Sequence, residues 1–157
     1  MNELDLSNEI QFEHYTFEHI RSKVECAVND FRENDLDLLE LSADERAATH
    51  QIACYLKKYF PGWNVDCEYN RKNAEPKRLQ GELVRPDIII HRRNLNTNLL
   101  CIEAKKFGNQ LIDDRKKLCG FTDPKGEYKY RIGLFLILSL TSPYNIRYEW
   151  FCDGNAI

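Results

Sequence analysis

Two consecutive apolar segments in the middle of the chain constrain its fold more than any other feature. The first is Pro86-Asp87-Ile88-Ile89-Ile90, and the second runs over residues 99–106. The polar, asparagine-rich stretch from Arg92 to Asn98 predicts a hairpin connection, so the two segments are expected to be neighbouring strands. Pro86 cannot donate to a strand ladder and belongs at a strand start or edge, whereas the three isoleucines indicate burial on both faces.

Helical periodicity dominates the chain before these strands. Apolar residues recur at helical spacing over 16–34 and over 43–60, so both segments are predicted to be amphipathic helices. The second helix is preceded by Ser42-Ala43-Asp44-Glu45, which has the form of a capping box, and it is stopped by Pro61-Gly62.

The remaining segments favour strands with one further helix. Apolar and polar residues alternate from Trp63 to Asn70, which predicts a strand, and the polar residues 71–82 are expected to be a loop. A polar helix is expected at 110–121, followed by strands at 131–140 and 145–152 on either side of the turn Ser142-Pro143-Tyr144-Asn145.

This order of elements predicts an α/β fold in which antiparallel strands are joined to a helical crossover. A length of 157 residues suits one compact domain. We expect residues 1–42 to form an N-terminal helical extension packed on a core of residues 43–157. With 43% apolar and 30% charged residues, the composition is normal for a soluble globular protein.

The longest apolar stretch, from Ile132 to Leu140, is far shorter than the roughly 18 residues that suggest a membrane span. The N-terminus is acidic and polar, so we expect no membrane association and a cytoplasmic location. The six cysteines include no C-x-x-C pair and no histidine at zinc-finger spacing. Buried free thiols are therefore predicted in preference to disulfides or zinc.

Charge is segregated along the chain. Residues 1–70 hold 6 basic and 15 acidic side chains, whereas residues 71–131 hold 15 basic and 8 acidic, a net charge of +7 for that segment. The whole chain carries −3, which by itself argues against a dedicated nucleic-acid-binding protein. A local positive field can still recruit a polyanion, although for any single basic residue a solvated surface position is the simpler interpretation.

Asp87 and Glu103-Ala104-Lys105 are the candidate catalytic residues. Carboxylates on neighbouring strands can hold Mg²⁺ through oxygen atoms, and a lysine two residues along the strand lies on the same face. The tripeptide E-x-K alone is weak evidence, because it occurs three times. Glu75-Pro76-Lys77 lies in a polar segment, and Glu127-Tyr128-Lys129 has no partner carboxylate at an equivalent position. Only Glu103 and Lys105 extend from a predicted buried strand with an acid on its neighbour.

At this point the chain resembles the PD-(D/E)XK nuclease superfamily. The resemblance covers residues 43–140 and consists of Pro86-Asp87, fifteen intervening residues, then Glu103-Ala104-Lys105, with a helix before and after. It implies a restriction-endonuclease-like αβββαβ core with a mixed central sheet flanked by helices, here with an extra N-terminal helix. It also implies a metal-dependent phosphodiesterase, with DNA as the first substrate to test.

The resemblance assigns roles to individual residues. Asp87, Glu103 and the carbonyl of Ala104 would bind one or two Mg²⁺ ions, with Mn²⁺ as a substitute. Lys105 would position or activate the attacking water and stabilise the charge that develops on phosphorus. Many members place a glutamate on the first core helix, and Glu45 is the candidate here. Its place in the capping box is an equally good explanation, and the two are compatible.

Nucleic acid, DNA first, is the expected partner. The candidate contacts lie in the basic segment and are Arg71, Lys72, Arg85, Lys106, Arg115 and Lys116. Glu68 is expected to pair with a basic side chain rather than to join the site. His50 and His91 are expected in surface or hydrogen-bonded roles, and Tyr128, Tyr130 and Tyr144 in packing.

Two hypotheses for function therefore arise from the sequence. The first is a Mg²⁺-dependent DNA endonuclease that uses Asp87, Glu103 and Lys105. The second is a catalytically inactive module of the same fold that binds nucleic acid or a protein partner, which the acidic total charge favours. A homodimer that cuts two strands is a further expectation for so small a chain, although the sequence shows no interface.

Overall fold

The computed structural model describes residues 15–40, 45–69, 71–72, 75–93, 95–107, 111–139 and 145–157, with the backbone alone for 71–72, 75 and 111–112. It has an α/β architecture in which a mixed six-stranded sheet is flanked by helices. The described helices contain no segment long and apolar enough to cross a membrane.

The helices at the start of the described chain are α1 (Phe17–Asn34), the single turn α2 (Asp37–Glu40) and α3 (Glu45–Tyr59). The predictions of helices at 16–34 and 43–60 are confirmed. Thr16 caps α1 because its hydroxyl oxygen accepts a hydrogen bond from the backbone N–H of His19 at 3.3 Å. Ser42, the other half of the predicted capping box, lies outside the described residues, as does the predicted boundary at residues 42 and 43.

The strands in chain order are β1 (Asn64–Cys67), β2 (Arg71–Lys72), β3 (Glu75–Pro76), β4 (Arg78–Leu79), β5 (Glu82–Leu83), β6 (Ile88–Arg92), β7 (Thr97–Lys106), β8 (Ile132–Leu138), β9 (Ile146–Cys152) and β10 (Asn155–Ala156). The helix α4 (Leu111–Thr122) lies between β7 and β8. The main sheet has the order β1-β6-β7-β8-β9-β10. Its neighbours are antiparallel except β7 and β8, which are parallel and are joined through α4.

Two hydrophobic cores lie on opposite faces of this sheet. On one face α1 and α3 pack over β6, β7 and β8, and the buried side chains include Phe31, Leu56, Ile90 and Ile102. On the other face α4 packs through Leu118 and Phe121. The side chains of β8 are buried on both faces. The predicted N-terminal helix therefore shares a core with the sheet.

Several predicted elements differ from the structure. The strand expected at 63–70 ends at Cys67, because Glu68 adopts a left-handed φ of +49° that breaks the alternation. The expected loop over 71–82 contains two hairpins, β2 with β3 and β4 with β5. Gln80 and Gly81 both have positive φ, as a two-residue hairpin turn requires.

The C-terminal end holds a strand that the sequence analysis missed. β9 turns through Asp153 and Gly154, both with positive φ, into β10. Residues 142–144 of the expected turn before β9 lie outside the described part. The six cysteines are free thiols, but only Cys101 is buried, so the expectation of burial is wrong for the exposed Cys26 and only partly met by the other four.

Candidate active site

The β6–β7 pairing places the two predicted carboxylates side by side. Ile88 pairs with Ile102 in the antiparallel register, so Asp87, one residue earlier, comes opposite Glu103. The Asp87 carboxylate accepts a hydrogen bond from the backbone N–H of Ala104 at 2.7 Å. The side chains of Asp87 and Glu103 lie close enough for each to shift the pKa of the other. Two neighbouring carboxyl groups of this kind offer the oxygen ligands that Mg²⁺ prefers.

Burial makes this carboxyl pair electrostatically unusual. Glu103 is only 4% exposed. Its burial, and then the neighbouring charge of Asp87, raise the pKa of Glu103 well above its ordinary value. Burial also raises the pKa of Asp87, opposed by the Ala104 N–H and the charge of Lys105. Burial therefore disfavours the ionised forms of both carboxyl groups, and a bound cation would favour them.

Lys105 and Glu45 complete the predicted set. The ammonium of Lys105 lies 3.8 Å from one carboxylate oxygen of Glu45, and the other oxygen accepts from the backbone N–H of Lys106 at 3.0 Å. Glu45 is the first residue of α3, where a carboxylate also interacts favourably with the helix dipole. The structure thus brings Asp87, Glu103, Lys105 and Glu45 into one neighbourhood.

A cavity of about 400 Å³ opens beside these residues. Asp87, Lys105 and Glu45 line it, whereas Glu103 does not. Glu68 also lines it and lies 3.4 Å from Arg46 and 3.7 Å from Arg85. The predicted pairing of Glu68 with basic residues is confirmed, but the expectation that it stays apart from the site is wrong.

Two residues of α4 that were not predicted from the sequence, Asp114 and Lys117, also interact electrostatically with this carboxyl pair. Asp114 is 3% exposed, and its carboxylate is 2.9 Å from the ammonium of Lys117. Burial opposes the charged form of Lys117, but the hydrogen bond that its ammonium donates to Asp114 and the charges of Glu103 and Asp87 raise its pKa overall. A sequence signal existed, because Asp114 lies four and seven residues before the buried Leu118 and Phe121, on the inward stripe of α4.

The residues predicted to contact nucleic acid differ in their positions and in their partners. Arg85 lines the cavity, and the Lys106 backbone contacts Glu45. Arg115 is already engaged, because its guanidinium donates to both carboxylate oxygens of Glu149 at 2.7 and 2.8 Å. Its prediction as a nucleic-acid contact stays a prediction. Lys116 is exposed. The side chains of Arg71 and Lys72 lie outside the described part.

The remaining predicted residues are divided between the cavity and the protein interior. His50 lines the cavity, and His91 is buried and hydrogen-bonded to Asp66 at 2.7 Å. Tyr128 and Tyr130 are buried and pack against Phe121, as predicted. Tyr144 lies outside the described residues.

The donor set suits a hard divalent cation. Asp87 and Glu103 offer only oxygen atoms, and the β6–β7 register places the two residues opposite each other. Among the residues that the structure describes, no group of three or more histidine, cysteine, aspartate or glutamate side chains is arranged to hold a metal ion. Mg²⁺ commonly keeps several waters and takes one or two carboxylates, so two are compatible with it.

Comparisons with protein-family models, with curated proteins and with solved structures found no match for this chain. The arguments on function therefore rest on the residues and geometry described above.

Proposed function

We propose that this chain is a Mg²⁺-dependent nuclease of the PD-(D/E)XK type that cleaves DNA. The observation that carries the proposal is the carboxyl pair of Asp87 and Glu103, which the β6–β7 register places opposite each other, beside a cavity that Asp87 and Lys105 line. The order α3, β1, β6, β7, α4, β8 supports a restriction-endonuclease-like core, because it is the αβββαβ order expected from the resemblance.

Two carboxylates and one backbone carbonyl of the chain would bind the metal. Asp87 and Glu103 would ligate Mg²⁺, or Mn²⁺ in its place, together with the Ala104 carbonyl. The Ala104 N–H fixes one oxygen of Asp87, which leaves the rest of that carboxylate available. When bound, the cation supplies Lewis-acid polarisation of a phosphoryl oxygen.

Lys105 and Glu45 act on the reacting groups from the cavity side. A water oxygen attacks phosphorus, the bond from phosphorus to the departing oxygen breaks, and that oxygen leaves with a proton. The ammonium of Lys105 orients the water and donates to the phosphoryl oxygens as negative charge develops. Glu45 is a positioning residue, since its carboxylate holds that ammonium at 3.8 Å.

Cleavage assays on purified variants test this function. We expect the protein to cleave DNA with Mg²⁺ and to stop when EDTA removes the metal. Asp87→Ala and Lys105→Met should each lower the cleavage rate by at least about 100-fold, because each removes a group that contacts the metal or the reacting atoms. Circular dichroism should show that both variants remain folded.

Lys129→Met is the matched control, because Lys129 is the exposed lysine of another E-x-K tripeptide. It should cleave like the unaltered protein. Absence of cleavage of linear, branched and single-stranded DNA and of RNA, with both Mg²⁺ and Mn²⁺, would overturn the proposal.

The alternative is a module that binds nucleic acid or a protein partner without turnover. One observation favours it: Glu103 lies outside the cavity wall, and its raised pKa opposes the ionised form that a metal needs. Binding of DNA that Asp87→Ala leaves unchanged, without metal-dependent cleavage, would support this alternative. The nuclease proposal includes a homodimer that cleaves both strands of DNA. Light scattering tests whether the protein is a dimer in solution.

A further inference from the structure

Phe107 is an aromatic side chain held in solvent at the end of β7. It is 64% exposed, and the other large exposed apolar residues among those described are the aliphatic Leu83, Leu95 and Ile157. A single exposed apolar residue needs no explanation. Phe107 is notable because a cation lies over its ring and a depression lies next to it.

The guanidinium carbon of Arg147 lies 5.1 Å from the centre of the Phe107 ring. Both residues line an open depression of about 270 Å³, together with Ile137, Ser139 and Asn145. Glu149, the acidic neighbour of Arg147 on β9, is already held by both donor groups of Arg115. Among the residues that the structure describes, none forms an ion pair with Arg147, so its positive charge can attract an anionic ligand.

The strand register connects this depression with the candidate active site. Lys105 pairs with Ile137 in the parallel ladder, and Ile137 pairs with Arg147 in the antiparallel one. The Phe107 N–H donates to the Leu138 carbonyl at 3.0 Å, so β-type pairing continues past the end of β7. Alternation then places Lys105, Phe107 and Arg147 on one face of the sheet. Phe107 follows Lys105 by two residues, or about 7 Å along the strand.

We propose that Phe107 and Arg147 form a base-stacking site for the nucleotide next to the phosphate held at Lys105. This inference rests on the proposed function and narrows its substrate to nucleic acid with unpaired bases. An aromatic face accepts any base by stacking, and an arginine beside it adds attraction for the base and the backbone phosphate. A base inside a duplex is already stacked and reaches such a ring only if it is extruded.

The charge around the depression agrees with a polyanionic occupant. Lys105 precedes Phe107 by two residues on the same face of the sheet, and Arg147 lines the depression itself. A strand with free bases would lay its phosphates along these cations while one base meets the ring. Stacking of this kind carries no sequence preference, so we expect single-stranded DNA of different sequences to bind alike.

A tryptophan reporter tests the stacking without requiring turnover. Phe107→Trp, combined with Asp87→Ala and kept in EDTA, is titrated with a single-stranded oligothymidylate and with a blunt duplex. Trp63 and Trp150 are 9% and 8% exposed, so the new side chain dominates any change on binding. We expect strong quenching by the single strand and little by the duplex.

Affinity measurements on matched variants complete the test. Phe107→Ala and Phe107→Leu should weaken single-strand binding by roughly 5- to 150-fold, the range measured for loss of one stacked base. Phe107→Tyr keeps the ring and should bind normally. Leu95→Ala is the control, because Leu95 is 55% exposed in the connection before β7, at the opposite end of that strand. It should leave binding unchanged.

The outcomes separate this inference from the nuclease proposal. If Phe107→Leu binds single strands as well as the unaltered protein, the stacking site is wrong even when Asp87-dependent cleavage is intact. Quenching by single strands without any cleavage retains the stacking site and overturns the nuclease. If Phe107→Ala changes the molecular mass of the protein in solution but leaves single-strand binding unaffected, the ring contacts a second copy of the chain. That result would overturn the inference.

Discussion

The two ends of β6 carry buried charged clusters of opposite character. Asp87 precedes the strand and His91 lies near its end, about 13 Å apart, with Ile89 between them on the same face. At the Asp87 end, the strand register places Asp87 opposite Glu103, and Asp87 and Lys105 line a cavity. At the His91 end, one carboxylate meets several cations and donors.

The His91 end has its charges satisfied by close partners. Asp66 accepts hydrogen bonds from His91 and from both donor groups of Arg93. These partners, chiefly Arg93, lower the pKa of Asp66, whereas burial lowers that of His91. This arrangement explains a structural role, because an acid with its donors in place has no need of an added ligand.

The buried lysine Lys77 also differs in its surroundings from Lys105. It is 2% exposed and donates to the Tyr130 hydroxyl at 2.7 Å, with the rings of Tyr69, Tyr130 and Tyr128 at 5.2, 5.3 and 5.9 Å. Burial lowers its pKa to about 8. Lys77 and Lys105 both end E-x-K tripeptides, yet one is enclosed by tyrosines and the other lines a cavity beside carboxylates. The surroundings of such a lysine therefore distinguish a functional hypothesis from a structural one.

The largest expected difference between the two ends concerns turnover. Asp87→Asn should lower cleavage by at least about 100-fold while the fold survives, because it removes a ligand charge. Asp66→Asn should cleave normally but lower the free energy of unfolding by about 1.5–3 kcal/mol, since it weakens hydrogen bonds to a charged group. Urea unfolding and cleavage rates measured on both variants test the comparison. Equal loss of cleavage in both would remove the distinction between the two ends.

The sequence could predict the Asp87 end because its signals are local. Apolar runs define β6 and β7, and a short polar connection forces them to pair, which brings Asp87 beside Glu103. Asp114 and Lys117 arrive from a crossover helix whose position over the sheet depends on tertiary packing. The helical periodicity of α4 predicts that Asp114 faces inward. The local sequence does not show which residues of the sheet that face contacts.

The missed strands have a different cause. β2 to β5 are two residues each, too short for an alternating pattern to appear, and tertiary contacts hold them. Tyr128, for example, contacts both backbone polar groups of Arg78 through its hydroxyl. β10 could have been predicted, because Asp153-Gly154 is a strong signal for a hairpin turn. The burial of Lys77 could not have been predicted from the sequence, since a lysine in a polar segment is normally exposed.

Removing the lysine at each end should affect stability unequally. Lys117→Met leaves the carboxylate of Asp114 buried without its partner and should lower the free energy of unfolding by about 1–3 kcal/mol. Lys77→Met should change it by less than about 1 kcal/mol at pH 7, because relief of the buried charge offsets the lost hydrogen bond to Tyr130. Urea unfolding at pH 7 measures both. A larger loss in Lys77→Met than in Lys117→Met would contradict this view of the two clusters.

The smallest expected effect is a change in stability with pH that arises from Lys77. Because the folded state lowers the pKa of Lys77 to about 8 from an ordinary 10.5, the fold binds this proton less tightly than the unfolded chain does. The contribution of Lys77 to stability is therefore fully present above the unfolded pKa and is lost as pH falls through 8. Relative to Lys77→Met, the unaltered protein should gain about 1 kcal/mol between pH 8 and pH 9. Subtracting the two unfolding curves cancels the cysteines and tyrosines that titrate nearby. Parallel curves would mean that the tyrosine rings stabilise the ammonium of Lys77 enough to offset its burial.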